Sequence, residues 1–522
     1  MLASPPVRGV VNAATALAVV GFLAALIGIR FETYSVPHQP VWIASEAGTM
    51  PAVLYGVDPL ARDPEAEALP SVVLVHGFAC NKSSVGALAR RLVRGGYAVL
   101  SPDLRGHGQN KSEFQLDFSA AGLRTDIEAA VSFAAGHPRL DSRRIAIAGH
   151  SMGATAVLDY AGHHPDVGAV IAISGAPPLE APYTPPNPLM IWAGGDPEML
   201  RSASRWLATQ YAEQDQVVLG RTYGDFERGS AVRTVEVDGT GHMSILLSDA
   251  AGSQILDWLD RTLGPGERSA ARADRAALWS GVGVLSALIL LIALGSRLAP
   301  LIPTVSVPER GTMRAFLLLL GVLVCAGGLL LSADAAAGVS PFGFLGLHFG
   351  QELVGLLALS GAGLWIVDWP RRRQRRDGLL YLRLWLALLL LWLAGYALLG
   401  AAVQGYQTMW LSPHRVWPAL QVAVLCAPFF CAADWMLRRP GRWNFLSTGA
   451  AKLLVVGILM ASSASGLMSM LSWFSAGTLL FLTPAFEVVC YGLYRSTPNP
   501  WWTGLLQAGW LGAAIAAISP LS

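Results

Sequence analysis

A serine with glycines two residues away on either side, Gly149-His150-Ser151-Met152-Gly153, follows directly on the apolar run Arg144-Ile-Ala-Ile-Ala148. That order predicts a buried strand turning sharply into a helix, with Ser151 at the apex. Such a corner forces the serine backbone into a strained conformation, and glycines at both flanks let the helix pass close to the strand. A hydroxyl held there is exposed and able to attack an acyl carbonyl. Its proton needs an imidazole to take it and return it to the leaving group, and the imidazole needs a buried carboxylate to fix its tautomer. The pentapeptide alone recurs in unrelated proteins, so its surroundings carry the reading.

Those surroundings supply both partners. Pro188 to Ala193 is an apolar run that ends in Gly194-Gly195-Asp196, which sets a carboxylate at the carboxyl end of a strand. Val232 to Val237 is a further strand-like run and leads into Asp238-Gly-Thr-Gly-His242, followed by a helix-like stretch from Met243 to Leu263. Asp196 is therefore the candidate acid and His242 the candidate base. Upstream, Ser71 to Val75 is short, β-branched and apolar, as a buried parallel strand would be, and it opens into His76-Gly77-Phe78. The tetrahedral oxyanion of acyl transfer needs donors, and the backbone NH groups of Phe78 and Met152 are the two expected there. His76, His107 and His150 are read as shaping loops, and Asp103, Asp141 and Asp166 as structural carboxylates at turns or helix caps.

Taken together, His76-Gly77, Asp103-x-Arg-Gly-His-Gly108, Gly149-x-Ser-x-Gly153, Gly195-Asp196 and Gly241-His242 resemble the α/β-hydrolase superfamily. The nearest branch is that of serine aminopeptidase-like and monoacylglycerol lipase-like enzymes, and the likeness runs from roughly Val41 to Leu263. It implies a mostly parallel sheet flanked by helices, the chain order Ser151, Asp196, His242, and chemistry on carboxylic esters rather than amides, with no metal or organic cofactor. Some relatives carry the acid one strand earlier, which makes Glu180 the rival to Asp196. Many insert a helical lid after the sixth strand, whereas Gly175 to Asn187 is here a short proline-rich connection. The pocket is then either open or roofed by other parts of the chain or by the bilayer.

The rest of the chain is of another kind. Of 522 residues, 53% are hydrophobic and 14% charged, against roughly 25% charged in soluble domains. An integral membrane protein is expected, and a net charge of +2 without a basic aromatic patch gives no sign of nucleic-acid binding. Five cysteines, four of them in apolar stretches, imply no disulfide framework. The boundaries expected are a signal anchor at 1–30, with a cleaved signal peptide as the alternative, a hydrolase domain at 31–263, a polar linker at 264–275, and an all-helical transmembrane domain at 276–522. About eight spans are read in that last part: 276–295, 313–332, 344–366, 379–401, 416–437, 453–468, 471–491 and 501–518.

Basic residues alternate between the loops of this half: Arg297, Arg310 and Arg314; Arg371 to Arg376 and Arg383; Arg438, Arg439, Arg442 and Lys452; Arg495. The alternation predicts a cytoplasmic amino terminus and an extracytoplasmic hydrolase domain in a plasma membrane of bacterial inner-membrane type. Within the spans, His348, Gln351 and Glu352 are spaced to share one helical face, either as interhelical hydrogen-bonding groups or as a polar cleft for a lipid head group, and Glu487 is an isolated carboxyl. The function expected is a membrane-anchored serine hydrolase that acts through an acyl-enzyme on small-molecule or lipid-derived acyl substrates, with membrane lipids as its surroundings. The alternatives are an acyltransferase using the same triad and a transporter or sensor with a ligand-binding hydrolase-like domain.

Overall fold

The computed structural model describes residues 5–58, 67–115, 121–176, 184–269, 272–305, 312–337, 340–368, 378–439 and 444–521. Glu180, Arg310, Arg442 and the basic loop at 371–376 lie outside the described residues. The chain forms two compact units, one made of residues 27–280 with 404–408, the other of 1–26, 281–403 and 409–521.

Helix α1 (Pro5–Thr33) leads into the first-named unit, whose elements follow as β1 (His38–Ser45), β2 (Gly48–Tyr55), β3 (Leu69–Val75), α2 (Gly86–Arg94), β4 (Ala98–Pro102), α3 (Ala121–Gly136) and β5 (Leu140–His150). Then come α4 (Met152–His163), β6 (Ala169–Ile173), β7 (Pro188–Ala193), α5 (Glu198–Ala212), β8 (Thr222–Tyr223), β9 (Val232–Val237) and α6 (Asp249–Leu263). The strands form one sheet in the order β1-β2-β4-β3-β5-β6-β7-β9-β8. From β4 to β9 in that order all neighbours are parallel, and the antiparallel pairs are confined to the two edges.

Both faces of the sheet are covered, which explains why its central strands are apolar throughout rather than alternating. Along β3, Val73 and Val75 enter one core with Ile147 and Val157, while Val72 and Leu74 enter the other with Ala148 and Trp258. Each strand therefore feeds two cores, with successive side chains on opposite faces.

The segment read as a linker is packed within this unit. Ser269 donates its backbone N–H to Arg94 O at 2.9 Å, Asp274 pairs with the buried Arg90 at 2.6 Å, and Arg272 pairs with the buried Glu32. A Cβ on Gly266 would lie 2.5 Å from Gly96 O, so the two backbones pass in direct contact. Arg272 and Asp274 thus meet buried partners, while most of the other described side chains of the segment are exposed.

The other unit is all helical: α7 (Ala276–Leu298, continuous with the first unit at its start), α8 (Thr312–Ala337), α9 (Gln351–Asp368), α10 (Gly378–Val403), α11 (Pro413–Leu437), α12 (Asn444–Ala464), α13 (Ser472–Ser496) and α14 (Pro500–Ile518). Among the described residues of the whole chain, seven helices are long and apolar enough to cross a bilayer, and Gln351–Val367 is a shorter apolar helix. Small residues set the closest packing, as expected where backbones must approach. A Cβ on Gly504 would lie 2.6 Å from Cys431 N, and one on Gly512 would lie 2.4 Å from Ala419 O, which runs α14 antiparallel along α11.

Three expectations for this half are corrected. The span at 344–366 is α-helical only from Gln351, because Gly346 (φ 62°) and Gly350 (φ 98°) adopt left-handed or related conformations that separate it from a short 3₁₀ turn at Gly343–Leu345. His348 therefore precedes α9 and does not share a helical face with Gln351 and Glu352; its N–H donates to Pro520 O at 3.0 Å. Gln351 donates its side-chain amide to Leu347 O, and Glu352 is buried. The span at 453–468 starts earlier, at Asn444, so Lys452 sits inside α12 rather than in a loop. Glu487 is not isolated: it accepts from Lys452 Nζ at 2.5 Å, Thr448 Oγ1 at 2.6 Å and Arg438 Nη2 at 3.1 Å. Arg438 also pairs with Asp434 at 2.9 Å, and Gln507 donates to Asp434 at 3.0 Å, so that four helices share one buried, charge-balanced network.

Removing one member of such a network leaves its partners buried and unpaired, which costs about 3–5 kcal/mol. Glu487→Leu is expected to lower the thermal midpoint of the detergent-solubilised protein markedly more than Glu487→Gln, which keeps the hydrogen bonds with Thr448 and Lys452. Equal midpoints for the two variants and the parent would refute a stabilising role.

Candidate active site

The site is built at the carboxyl ends of the central parallel strands, where loops leave the sheet. Strand β5 delivers Ser151, whose backbone is in the positive-φ region (φ 55°, ψ −118°). That strained corner exists only because its flanks lack side chains. A Cβ on Gly149 would lie 2.1 Å from Gly153 O, and one on Gly153 would lie 2.5 Å from His76 O. Helix α4 starts at the next residue, so Met152 N–H lies at the helix's amino end, where unpaired N–H groups favour negative charge.

Strand β7 ends before Asp196 and β9 before His242. His242 Nδ1 is 2.6 Å from Asp196 Oδ1, and His242 Nε2 is 3.0 Å from Ser151 Oγ. The imidazole thus bridges hydroxyl and carboxylate, with Nδ1–H donating to Asp196 and Nε2 accepting from Ser151. Asp196 is fully buried on its side chain, while the ring of His242 keeps a third of its surface exposed. Burial alone would push the Asp196 carboxyl up, but hydrogen bonds from His242, Ser174 and the Ala193 N–H outweigh it and hold the group below its usual range.

Ser174 takes part in a way the sequence did not announce, and His150 shapes a loop, as read from the sequence. Ser174 Oγ donates to Asp196 Oδ2 at 2.6 Å and Ala193 N–H donates to the same oxygen at 2.8 Å, so the carboxylate is fixed by donors besides His242. The signal available was position: Ser174 directly follows β6, one strand from Ser151. His150 Nε2 lies 2.7 Å from His242 O, and since a carbonyl only accepts, that nitrogen carries the proton. The residue beside the serine therefore anchors the backbone of the loop that carries His242.

The loop after β3 lies alongside. Val75 pairs with Gly149, which brings His76-Gly77-Phe78 next to the serine. A Cβ on Gly77 would be 3.1 Å from Ser151 Cβ. His76 is buried and shapes this loop: Leu104 N–H donates to its Nε2 at 3.1 Å, and its Nδ1 lies 2.8 Å from Gly77 O. Burial holds its imidazole below the ordinary range. Phe78 meets the His107 ring edge-to-face and packs at a tilt against Phe114. Asp103 is buried and bound by Lys82 at 2.5 Å and by the N–H of Gln109 at 2.9 Å.

This sheet with its flanking helices has the α/β-hydrolase fold. Residues 66–219 match the family described as serine aminopeptidase, S33. A thermostable monoacylglycerol lipase of Bacillus sp. (strain H-257) is 34% identical over 133 residues, 25% of this chain and 48% of the lipase. Lipase 1 of Psychrobacter immobilis is 28% identical over 138 residues, 26% of this chain and 36% of that protein. The chain thus spans about half or less of the length of these relatives. Among solved structures, a hyperthermophilic esterase of Pyrobaculum calidifontis is 17% identical, with a TM-score of 0.34 over 50% of this chain and 98% of that one. Among the described residues, no cluster of histidine, cysteine and acidic side chains is arranged to hold a metal.

Within the hydrolase fold, burial and then the neighbouring His242 ring push the His150 imidazole down to about 4 from 6.5. The unfolded chain takes up this proton near pH 6.5 and the folded one resists it until about pH 4, so stability falls as pH drops through that window, by about 3 kcal/mol in total. Thermal midpoints measured from pH 7 to pH 4.5 are expected to fall less steeply for His150→Gln than for the parent, and parallel curves would contradict this role.

Proposed function

We propose that this chain is a membrane-anchored serine hydrolase that cleaves carboxylic ester or thioester bonds through an acyl-enzyme. The observation that carries the reading is the continuous hydrogen-bonded path from Ser151 Oγ through the His242 ring to Asp196, at 3.0 and 2.6 Å. In that path Ser151 Oγ attacks the acyl carbonyl while its proton passes to His242 Nε2, and Asp196 stabilises the imidazolium that forms. The electron pair of the carbonyl becomes an oxyanion, for which the N–H groups of Met152 and Phe78 are the proposed donors. Collapse of the tetrahedral species expels the alcohol or thiol, protonated from His242. Water, activated by the same imidazole, then attacks the acyl-enzyme and releases the acid.

Similarity to lipases supports ester chemistry, and similarity to serine aminopeptidase S33 supports a serine nucleophile. The long apolar helices support anchoring in a bilayer and, with it, acylated or lipid-related substrates. Alternation of basic loops supports a cytoplasmic amino terminus, with α1 as a signal anchor and the hydrolase domain outside the cytoplasm.

An impermeant fluorophosphonate applied to intact cells is expected to modify Ser151. Ser151→Ala should abolish that labelling and lower ester hydrolysis at least about 10,000-fold. Labelling of another residue would overturn the nucleophile assignment, and labelling only after permeabilisation would overturn the sidedness.

A further inference from the structure

The loop that follows β3 holds a non-glycine residue at positive φ, as the corner at Ser151 does. Cys80 N–H donates to Gly77 O at 3.3 Å, closing a four-residue turn over Gly77-Phe78-Ala79-Cys80. Its third position is Ala79 at φ 59°, a left-handed conformation that favours glycine. An alanine persists there only if its surroundings hold it. The preceding residue, Phe78, is the one whose N–H is the proposed oxyanion donor, so whatever fixes Ala79 also aims that donor.

The holding contacts come from residues 404–408, more than three hundred positions further along the chain yet part of the same compact unit. Gln407 Nε2 donates to Ala79 O at 3.4 Å. Asn81, itself buried, donates its side-chain amide to Thr408 O at 3.0 Å, and its Oδ1 lies 3.5 Å from Thr408 N. In this way Asn81 engages Thr408 as a neighbouring strand would, through both backbone groups. Ser83 and Thr408 share a hydroxyl–hydroxyl bond of 2.7 Å. The segment is seated from its other side too, since a Cβ on Gly405 would lie 2.9 Å from Ile29 Cγ2.

We propose that the segment 404–408 is a built-in brace of the oxyanion loop, with Gln407 and Thr408 as positioning residues that hold the Ala79 turn, and through it the Phe78 N–H, in the geometry that acyl transfer needs. The proposal rests on the reading of Ser151 as nucleophile. In the sequence only the short, proline-rich stretch Gly175 to Asn187 joins β6 to β7, and it is the distant stretch 404–408 that bonds to the loop after β3. Neither Gln407 nor Thr408 touches Ser151, His242 or Asp196 among the hydrogen bonds of the site, so their loss acts through the turn.

The test uses the full chain in detergent with p-nitrophenyl butyrate as substrate, and counts competent sites by exhaustive fluorophosphonate titration. The double variant Gln407→Ala/Thr408→Val is expected to lose about tenfold to a hundredfold in kcat per titrated site, below the full effect of deleting a donor. KM and the pH profile should be unchanged, because the His242–Asp196 pair is untouched. Thr408→Ser, which keeps the hydroxyl, should retain the parental kcat in the single-variant background, whereas Thr408→Val should not. Parental kcat per site in the double variant would overturn the proposal, as would a loss that vanishes once activity is divided by titrated sites, which marks a purely structural role. A parent protein that fails to react with the fluorophosphonate would instead overturn the nucleophile reading itself.

Discussion

The approach of three backbone segments at one corner governs the site. Strand β5 ends, α4 begins, and the carbonyls of Val75 and His76 at the end of β3 press against Gly153 so closely that any side chain at Gly149 or Gly153 would overlap main-chain atoms. That crowding turns Ser151 into its positive-φ conformation and lifts its hydroxyl out of the sheet toward His242. The same crowding brings the Gly77 loop against the serine, so Ser151 and the proposed oxyanion donors are positioned by one steric constraint. Strain of this kind persists because both cores of the sheet, above and below, are filled.

Around that corner the polar side chains are fixed in successive layers. His242 is held by Asp196 through its ring and by His150 through its backbone carbonyl. Asp196 is held in turn by Ser174 and the Ala193 N–H, so its orientation is fixed by donors other than His242 as well. A preorganised arrangement of this type needs little reorganisation as charge develops, and this is where enzymes gain most of their transition-state stabilisation. The loop on the opposite side of the serine has the same logic, with His76 buried beneath it and Asn81 and Ser83 tying it to Thr408.

The helical unit obeys a different constraint. In a bundle of apolar helices, hydrophobic packing gives little specificity between neighbours, and small residues and polar contacts set the arrangement. Glycines on α14 lie against α11, and Asp434, Arg438, Lys452 and Glu487 balance one another in a buried cluster. Reading Lys452 as a loop charge, as hydropathy suggests, places the start of α12 too late in the chain. A buried lysine is tolerated inside a helix when a carboxylate from another helix meets it, and no local pattern reports that meeting.

Ser151, Asp196 and His242 were legible because each stands where an apolar strand-like run stops, and glycines beside them mark sharp turns. Short and long apolar runs likewise forecast a buried parallel sheet and long apolar helices, since burial on two faces or in lipid leaves a compositional trace. Long-range partners left none. Ser174 looks like any turn serine, Thr408 and Gln407 look like loop residues, and His348 keeps helical spacing to Glu352 although Gly350, with positive φ, stands between them just before the helix begins. Local sequence thus determined which backbone conformations and burial each segment favours, because these depend on neighbours along the chain. Which charges meet, which loop braces another and which atom faces the serine depend on residues brought together only when the chain folds, and the tertiary structure alone decided them.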